Sequence, residues 1–488
     1  MRGFLASSIG VTCAAALALP LTPPAVAATA RPVPTTEAAT VARPALHAGT
    51  PATATTTRRA AEAATPGSTQ SLPLEPLTRD RATPSAPATE QGLHRRAVRH
   101  FSLVGVVWDD PEAELHGRVQ VRTRAADTGT WSGWQDVRTH NADHGADRNT
   151  AESASGRVRG ATAPLWVGDS DGVELRVRSE TGSAEHGSAQ HGTGARDLPA
   201  APPLPSGLRL ELVDPGDDAR PPGAPADGPR TAALAGENSA AEASAVNADL
   251  APLGATEIAA LNRAETEREF LALNAGELTE QQLRAKPYVG PRPGIVTRRG
   301  WGADEGLRES GFRYTKKIRA AFVHHTASGN NYRCSQVPSL IRSIHRYHVR
   351  SMGWRDIGYN FLIDKCGKIY EGRAGGVARP VLGAHTLGFN SNSMGIAVLG
   401  SYDTKKPSKA AVKAVARLAA WKLGLYRVNP KGKTYLKSAG SNLHRKGKKV
   451  RLNVISGHRD GFITECPGRK LYGKLGSARS KAARYQGR

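Results

Sequence analysis

The sequence predicts a multidomain protein with an N-terminal all-β, sandwich-like domain, a C-terminal α/β domain with a central mixed sheet flanked by helices, and disordered linkers. Its 488 residues are too many for one ordinary core. Short strand-like runs separated by Gly, Asp and Asn turns fill residues 96–214, which is typical of a sandwich. Buried-strand and amphipathic-helix patterns alternate over 291–476, which predicts an α/β fold.

The N-terminus has the features of an export signal, which we predict over residues 1–27. A positive start at Arg2 precedes an apolar, Ala-rich run, and small residues near Ala27 offer a cleavage site. The run is short and is interrupted by Pro20, and no later segment is apolar enough to span a bilayer. We therefore expect a secreted protein, extracellular or cell-wall associated, without a transmembrane segment.

Three segments have the composition of linkers. Residues 28–95 are dense in Ala, Pro and Thr and predict a disordered spacer. Residues 215–290 predict a linker that contains a helix within 256–283, where apolar residues recur at near-helical spacing. Residues 477–488 form a basic tail.

The all-β domain is predicted from six segments with strand-like patterns. These segments are 101–108, 117–124, 130–137, 163–167, 172–178 and 208–213. Four tryptophans are predicted to belong to its core, with binding of wall carbohydrate as the alternative: Trp108, Trp131, Trp134 and Trp166. A His- and Gly-rich stretch at 184–192 predicts a solvated turn, and metal binding there is the alternative.

The α/β domain is predicted from alternating strands and helices. Strands are expected at 318–323, 358–364, 368–371 and 393–399, and the middle two form a hairpin. Amphipathic helices are expected at 337–349 and 408–425.

The charge and the cysteines limit the possible partners and compartment. A formal net charge of +24 favours polyanions, and export makes nucleic acid an improbable partner. Residues 431–450 are rich in Lys and Arg without an acidic residue, which suits either a grip on anionic wall polymers or a solvated insertion. Cys13 leaves with the signal, so three cysteines remain in an oxidising compartment. One disulfide and one thiolate with another role is the simplest arrangement.

His324, His458 and Cys466 have the chemistry of zinc ligands. Zinc prefers nitrogen and sulfur donors, and catalytic sites use three protein ligands and leave the fourth position to water. His324 directly follows a predicted strand, which would hold it rigidly. His324 and His458 are far apart in the sequence, so their spacing alone is weak evidence for a zinc site. Single histidines are more often core or surface groups than metal ligands.

An ordered series of short motifs carries a family resemblance over residues 298–474. These motifs are RGWGA at 299–303, FVHHTA at 322–327, GWRDIGYNF at 353–361, YEGR at 370–373, GAHT at 383–386, GFN at 388–390, MGI at 394–396, GHRD at 457–460 and TECP at 464–467. The series resembles the type-2 N-acetylmuramoyl-L-alanine amidases, the family shared by peptidoglycan recognition proteins and phage lysozyme-type amidases. The resemblance does not extend to residues before about 291.

The resemblance implies a zinc ion held by His324, His458 and Cys466, with His325 outside the ligand set. Recognition proteins that only bind often lack this cysteine, so its presence favours catalysis. Tyr359 matches the family tyrosine beside the metal, where its phenol would stabilise an oxyanion; a core aromatic is the alternative. Thr464 stands where the phage enzymes carry lysine. Because threonine has no charge, the resemblance supports a catalytic role for Thr464 less directly than it supports the zinc ligands.

The resemblance also implies a groove for muramic acid and the stem peptide. His348, His385 and Asn390 match groove positions, and Arg373 would pair with a stem-peptide carboxylate. A surface charge is the alternative for Arg373, and His345 is expected to be structural.

The remaining cysteines, Cys334 and Cys366, are expected to form a disulfide between the start of a helix and the hairpin turn. Zinc ligation by either cysteine is the weaker alternative.

The sequence therefore predicts a secreted, zinc-dependent, monomeric hydrolase that cleaves the amide bond between N-acetylmuramic acid and L-alanine. Its expected partners are peptidoglycan and anionic wall polymers. A non-catalytic peptidoglycan-binding protein is the alternative. A third hypothesis is a wall-attached interaction protein that works through its β domain.

Overall fold

The structure, a computed structural model, describes residues 67–77, 89–139, 141–180, 202–217, 230–274, 276, 278–281, 285 and 287–488. All of these residues belong to one structural unit, Glu62–Arg488. The predicted signal peptide and the stretch at 184–192 lie outside the described residues.

The described part of the N-terminal domain is an antiparallel sheet of eight strands, which confirms the all-β prediction. The main strand order is β1-β8-β3-β7-β4-β5, and β2 and β6 pair with β3. The strands are β1 (Ser68–Pro73), β2 (Glu75–Pro76), β3 (Glu90–Trp108), β4 (Gly117–Ala125), β5 (Gln135–Val137), β6 (Gly160–Ala161), β7 (Leu165–Ser179) and β8 (Arg209–Asp214). The runs predicted at 163–167 and 172–178 form the single strand β7.

The predicted spacer at 28–95 is wrong in part, because β1, β2 and the start of β3 lie within it. All six residues of β1 are in register with β8, from Ser68 opposite Asp214 to Pro73 opposite Arg209. Their side chains are mostly half-buried or exposed. Strand β1 is therefore held by backbone hydrogen bonds rather than by an alternating apolar pattern, and composition does not reveal it.

The prediction that four tryptophans belong to the core is right for two of them. Trp108 and Trp166 are buried in the β domain and at its boundary with the next domain. Trp131 and Trp134 are half-buried instead. The guanidinium of Arg176 lies 4.2 Å from the centroid of Trp134, so a cation–π contact covers this ring.

The predicted linker at 215–290 is also wrong in part, because its second half belongs to the C-terminal domain. Ile258 and Phe270 are buried in that domain's main core. Asn262 caps the following helix, and Glu265 completes a capping box. The elements of this region are α1 (Arg230–Ala245), β9 (Glu257–Ile258) and α2 (Arg263–Leu273).

The C-terminal domain has the predicted mixed sheet. Its strand order among the described residues is β17-β11-β14-β12-β13-β10-β9, with parallel and antiparallel pairs. Its strands are β10 (Ile295–Val296), β11 (Ala320–His325), β12 (Phe361–Ile363), β13 (Ile369–Glu371), β14 (Ser393–Val398) and β17 (Ile455–Gly457). The predicted hairpin is confirmed as β12 and β13. The basic stretch near 431–450 forms a separate hairpin of β15 (Lys433–Lys437) and β16 (Lys449–Asn453).

The helices of this domain cover the sheet and support the site. They are α3 (Val337–Arg346), α4 (Lys409–Leu425), α5 (Arg469–Tyr472) and α6 (Leu475–Gln486). A π-helical turn, Tyr347–Ser351, extends α3, so the helix predicted at 337–349 is confirmed. Among the residues that the structure describes, no helix is both long and apolar enough to cross a bilayer.

The predicted disulfide between Cys334 and Cys366 is present. It joins the start of the α3 region to the turn between β12 and β13. We expect Cys334→Ser/Cys366→Ser to lower the free energy of unfolding by about 3–4 kcal/mol, because the bond closes a loop with a sequence separation of 32. Urea unfolding of the wild type and the double variant without reductant measures this effect. Under reducing conditions the two proteins should become equally stable, and equal stability without reductant would contradict the prediction.

Candidate metal centre

Two neighbouring parallel strands bring His324 and His458 together. In the register of β11 and β17, Val323 lies opposite Gly457. The next residue of each chain segment is therefore a histidine at the same edge of the sheet. The two Nδ1 atoms lie 3.1 Å apart, and both side chains are buried.

Cys466 reaches the same point from the loop after His458. Its Sγ lies 3.7 Å from Nδ1 of His324, and the residue is 3% exposed. Its backbone N–H donates to Oγ1 of Thr464, and its carbonyl accepts from the N–H of Arg459. The loop backbone therefore fixes the direction of the thiol.

A fourth side chain, His144, comes from the β domain. Its Nε2 lies 4.0 Å from Sγ of Cys466, and its ring centroid lies 4.6 Å from that of His458. The potential ligand atoms of His144, His324, His458 and Cys466 all lie within 4.8 Å of one another. Sequence reasoning missed His144 because it stands in a polar loop of another domain, where nothing in the local pattern distinguishes it.

The four donors fit a tetrahedral zinc ion. Zinc–nitrogen bonds of about 2.0–2.1 Å and a zinc–sulfur bond of about 2.3 Å place neighbouring ligand atoms roughly 3.3–3.6 Å apart. The distances of 3.1 Å between Nδ1 of His324 and Nδ1 of His458, and 3.7 Å from His324 to Cys466, are close to these values. The wider separation of 4.0 Å places His144 at the edge of the cluster.

Hydrogen bonds orient two of the imidazoles for ligation. Nδ1 of His144 lies 2.9 Å from Oδ1 of Asp143, and Nε2 of His458 lies 3.1 Å from the Asp143 carbonyl. When these nitrogens donate, Nε2 of His144 and Nδ1 of His458 carry the free lone pairs that face the cluster. Such outer partners are typical of metal-binding histidines.

Burial keeps His324 and His458 neutral, which is the form that binds metal. Burial lowers the pKa of His458 to about 3 and that of His324 well below its ordinary value. Burial also raises the pKa of the Cys466 thiol. A coordinated cation reverses that preference, because it stabilises the thiolate directly.

Tyr359 and Thr464 border the cluster as expected. The Tyr359 ring centroid lies 5.6 Å from that of His324, and burial raises the pKa of its phenol well above the ordinary value. The phenol is therefore a hydrogen-bond donor at neutral pH. A cavity of about 360 Å³ lies beside the cluster, and its walls include Thr464, Cys466 and His144.

The predicted groove residues His348 and His385 also lie near the cluster. The His348 ring centroid is 5.7 Å from that of Tyr359, and the His385 ring centroid is 5.3 Å from that of His324. His325 points elsewhere, because its Nδ1 accepts the backbone N–H of Tyr402.

The other two groove residues are covered by the β domain. Asn390 Nδ2 donates to Oδ1 of Asp147, and Arg373 forms a two-point ion pair with Glu152. Arg373 is only 8% exposed, so the surface-charge alternative is wrong. His345 is buried 3.0 Å from Asp356, in agreement with a structural role.

Comparison with known proteins assigns the domain that contains this cluster to a family. Residues 314–469 match the family model described as N-acetylmuramoyl-L-alanine amidase. Peptidoglycan-recognition protein SC2 of Drosophila simulans is 34% identical over 184 residues, which cover 37% of this chain and 84% of that protein. The chain belongs to the N-acetylmuramoyl-L-alanine amidase and peptidoglycan-recognition protein family.

A second relative also exceeds 30% identity. The peptidoglycan recognition protein of Trichoplusia ni is 31% identical over 183 residues, covering 37% of this chain and 85% of that protein. The solved structure of wild-type Drosophila PGRP-LB matches at 27% identity, covering 38% of this chain and 92% of that chain with a TM-score of 0.30. Residues 51–202 match the family model described as Rv3811 N-terminal galactose-binding domain-like. The amidase-family domain is thus joined here to a separate β domain.

Removing a ligand of the amidase-family centre should remove the metal. We expect His324→Ala, His458→Ala and Cys466→Ala each to lower zinc affinity by more than roughly 100-fold. Loss of a residue that only hydrogen-bonds to a ligand typically costs about 10–100-fold, and loss of the ligand itself should cost more. His325→Gln is the matched control on the same strand and should keep about one zinc per chain. Elemental analysis after dialysis against graded chelator measures these affinities. Equal zinc retention by all four variants would contradict the assignment.

Proposed function

We propose that this protein is a secreted, zinc-dependent peptidoglycan hydrolase that cleaves the amide bond between N-acetylmuramic acid and the L-alanine of the stem peptide. The observation that carries the proposal is the convergence of Nδ1 of His324, Nδ1 of His458 and Sγ of Cys466 within a domain of the amidase family. Export rests on the signal-like sequence at 1–27.

The three ligands come from rigid or hydrogen-bonded segments, which suits catalysis. His324 is the last residue but one of β11, His458 directly follows β17, and Cys466 is held by backbone hydrogen bonds. Zinc held by these atoms supplies Lewis-acid activation of water and of the scissile carbonyl. All three atoms are donors that zinc prefers, and catalytic zinc sites use three protein ligands and leave one position open.

Tyr359 is placed to stabilise the negative charge that develops on the substrate carbonyl oxygen. Its phenol is protonated and lies beside His324, in a site that burial keeps poor in water. Thr464 lines the adjacent cavity. A threonine hydroxyl donates a hydrogen bond but carries no charge, so it orients the leaving amine rather than acting as a strong acid.

Arg373, Asn390 and His385 supply polar contacts for the substrate. Arg373 donates two hydrogen bonds of 2.8 and 2.9 Å to the Glu152 carboxylate, which supports a role for its guanidinium in binding a planar acid. Nε2 of His385 is buried and has no hydrogen-bond partner among the described residues. These groups suit the acetamido, peptide and carboxylate groups of a muropeptide.

A recognition protein without catalysis is the second candidate. The observation in its favour is His144, since four protein ligands close a zinc site in the way that structural sites are closed. The two candidates differ in product formation, because only a hydrolase releases stem peptides with a free L-alanine amine.

We expect a zinc-loaded chain to release such peptides from purified sacculi, and Cys466→Ala to abolish the release. Tyr359→Phe should retain zinc and lower kcat by about 100- to 1,000-fold, because one oxyanion donor is lost. Amine labelling of the released peptides followed by mass spectrometry measures the reaction. His100→Ala, an exposed change on β3, is the control. Binding to sacculi without release by any zinc-loaded form of the chain would identify a recognition protein instead.

A further inference from the structure

One loop of the β domain enters the metal centre and the groove beside it. This β5–β6 loop, defined here as residues 141–159, is the larger part of the connection between β5 and β6 and has no regular secondary structure. Long loops of this kind are uncommon in compact domains and often have a function. Three of its side chains contact the groove at separate points: His144, Asp147 and Glu152.

The first contact point is the metal centre. Nε2 of His144 faces the cluster while Nδ1 is held by Asp143. The Asp143 carbonyl also accepts hydrogen bonds from Nε2 of His458 and from the backbone N–H of Leu387. The loop backbone is therefore fixed directly before His144.

The second contact point is Asn390. Its Nδ2 donates to the Gly145 carbonyl and to Oδ1 of Asp147, both at 2.9 Å. The same Asp147 oxygen accepts the backbone N–H of Gly388 at 2.7 Å. The loop thereby uses the donors that this part of the groove offers to a substrate.

The third contact point is Arg373. Glu152 binds both terminal nitrogens of its guanidinium, and one carboxylate oxygen also accepts the backbone N–H of Arg355. Glu152 is 9% exposed and Arg373 is 8% exposed, so the pair is closed to solvent. A carboxylate of the protein thus occupies the position assigned above to a carboxylate of the substrate.

The composition of the β5–β6 loop suits reversible dissociation of the loop from the groove. Val158 is its only large aliphatic residue, and the three contact points are a potential metal ligand, amide hydrogen bonds and an ion pair. Water can replace such polar partners when the loop leaves, whereas exposing an apolar core would remain unfavourable. The groove residues Arg373 and Asn390 belong to the C-terminal domain, so they remain part of the groove when the loop leaves.

We propose that the β5–β6 loop is an autoinhibitory latch. His144 takes the fourth coordination position of the metal, and Asp147 and Glu152 occupy the contacts of the substrate. The full chain then has only a low rate of hydrolysis, from the small fraction of molecules in which the loop has withdrawn. This proposal rests on the proposed function of the same site, because a catalytic zinc needs one position free of protein ligands.

Variants of the full chain test the latch at two independent points. His144→Ala removes the fourth ligand, while Asp147→Asn/Glu152→Gln loosens the loop and keeps His144. His100→Ala removes an exposed histidine of the same domain and is the matched control. Circular dichroism and thermal unfolding show which variants are folded. If His144→Ala does not fold, the double variant is used for the test.

The first readout is independent of activity. Each protein is loaded with Co²⁺ in place of zinc, and the visible ligand-field absorption is recorded before and after adding azide. We expect azide to leave the spectra of the wild type and His100→Ala unchanged. We expect it to change the spectrum of His144→Ala, where the fourth position is open, and to change that of the double variant at higher azide concentration.

The second readout is the rate of peptide release from sacculi by the zinc-loaded proteins. We expect His144→Ala and the double variant to be at least about tenfold faster than the wild type, because opening raises the fraction of competent molecules. Spectra that respond to azide equally in all proteins, with equal rates, would overturn the latch. An azide response confined to the loop variants, without peptide release by any protein, would support the latch and overturn the hydrolase assignment.

Discussion

The parallel pairing of β11 with β17 is the constraint on which the site depends. It places His324 and His458 side by side, although they are far apart in the chain, and β14 holds the other edge of β11 in register. The two Nδ1 atoms are then 3.1 Å apart in a buried environment, where only neutral imidazoles are stable. A cation bound to both nitrogens and to the Cys466 thiolate would stabilise this close approach of two imidazoles.

A buried ionic network supports the groove around Arg373. Arg298 is 2% exposed and is paired with Glu305 at 2.7 Å and with Asp356 at 3.1 Å. Asp356 also lies 3.0 Å from Nε2 of His345, and its carbonyl accepts from Arg373. The network fixes the backbone around Arg373, so the guanidinium that meets Glu152 is held in position before any ligand arrives. Removing one member would leave its partners with buried charge that is only partly compensated, which is destabilising.

Sequence reasoning located the elements with strong periodicity and missed those held by backbone pairing. The pattern at 337–349 predicted a helix that the structure contains, because its apolar side chains face the core. Strand β1 and the two-residue strand β9 have no such pattern, since their neighbours in the sheet determine them. The ligand set followed from a family resemblance that covers one domain. His144 was beyond that reasoning because its role depends on how a second domain packs.

Anomalous diffraction at the zinc edge from crystals of the zinc-loaded full chain tests the central claim most directly. The account predicts one strong peak within about 2.0–2.3 Å of Nδ1 of His324, Nδ1 of His458 and Sγ of Cys466, with Nε2 of His144 as the fourth neighbour. A peak bound by the first three atoms, with His144 turned away and water in its place, would contradict the closed state. A chain without any peak at these atoms would contradict the metal centre itself.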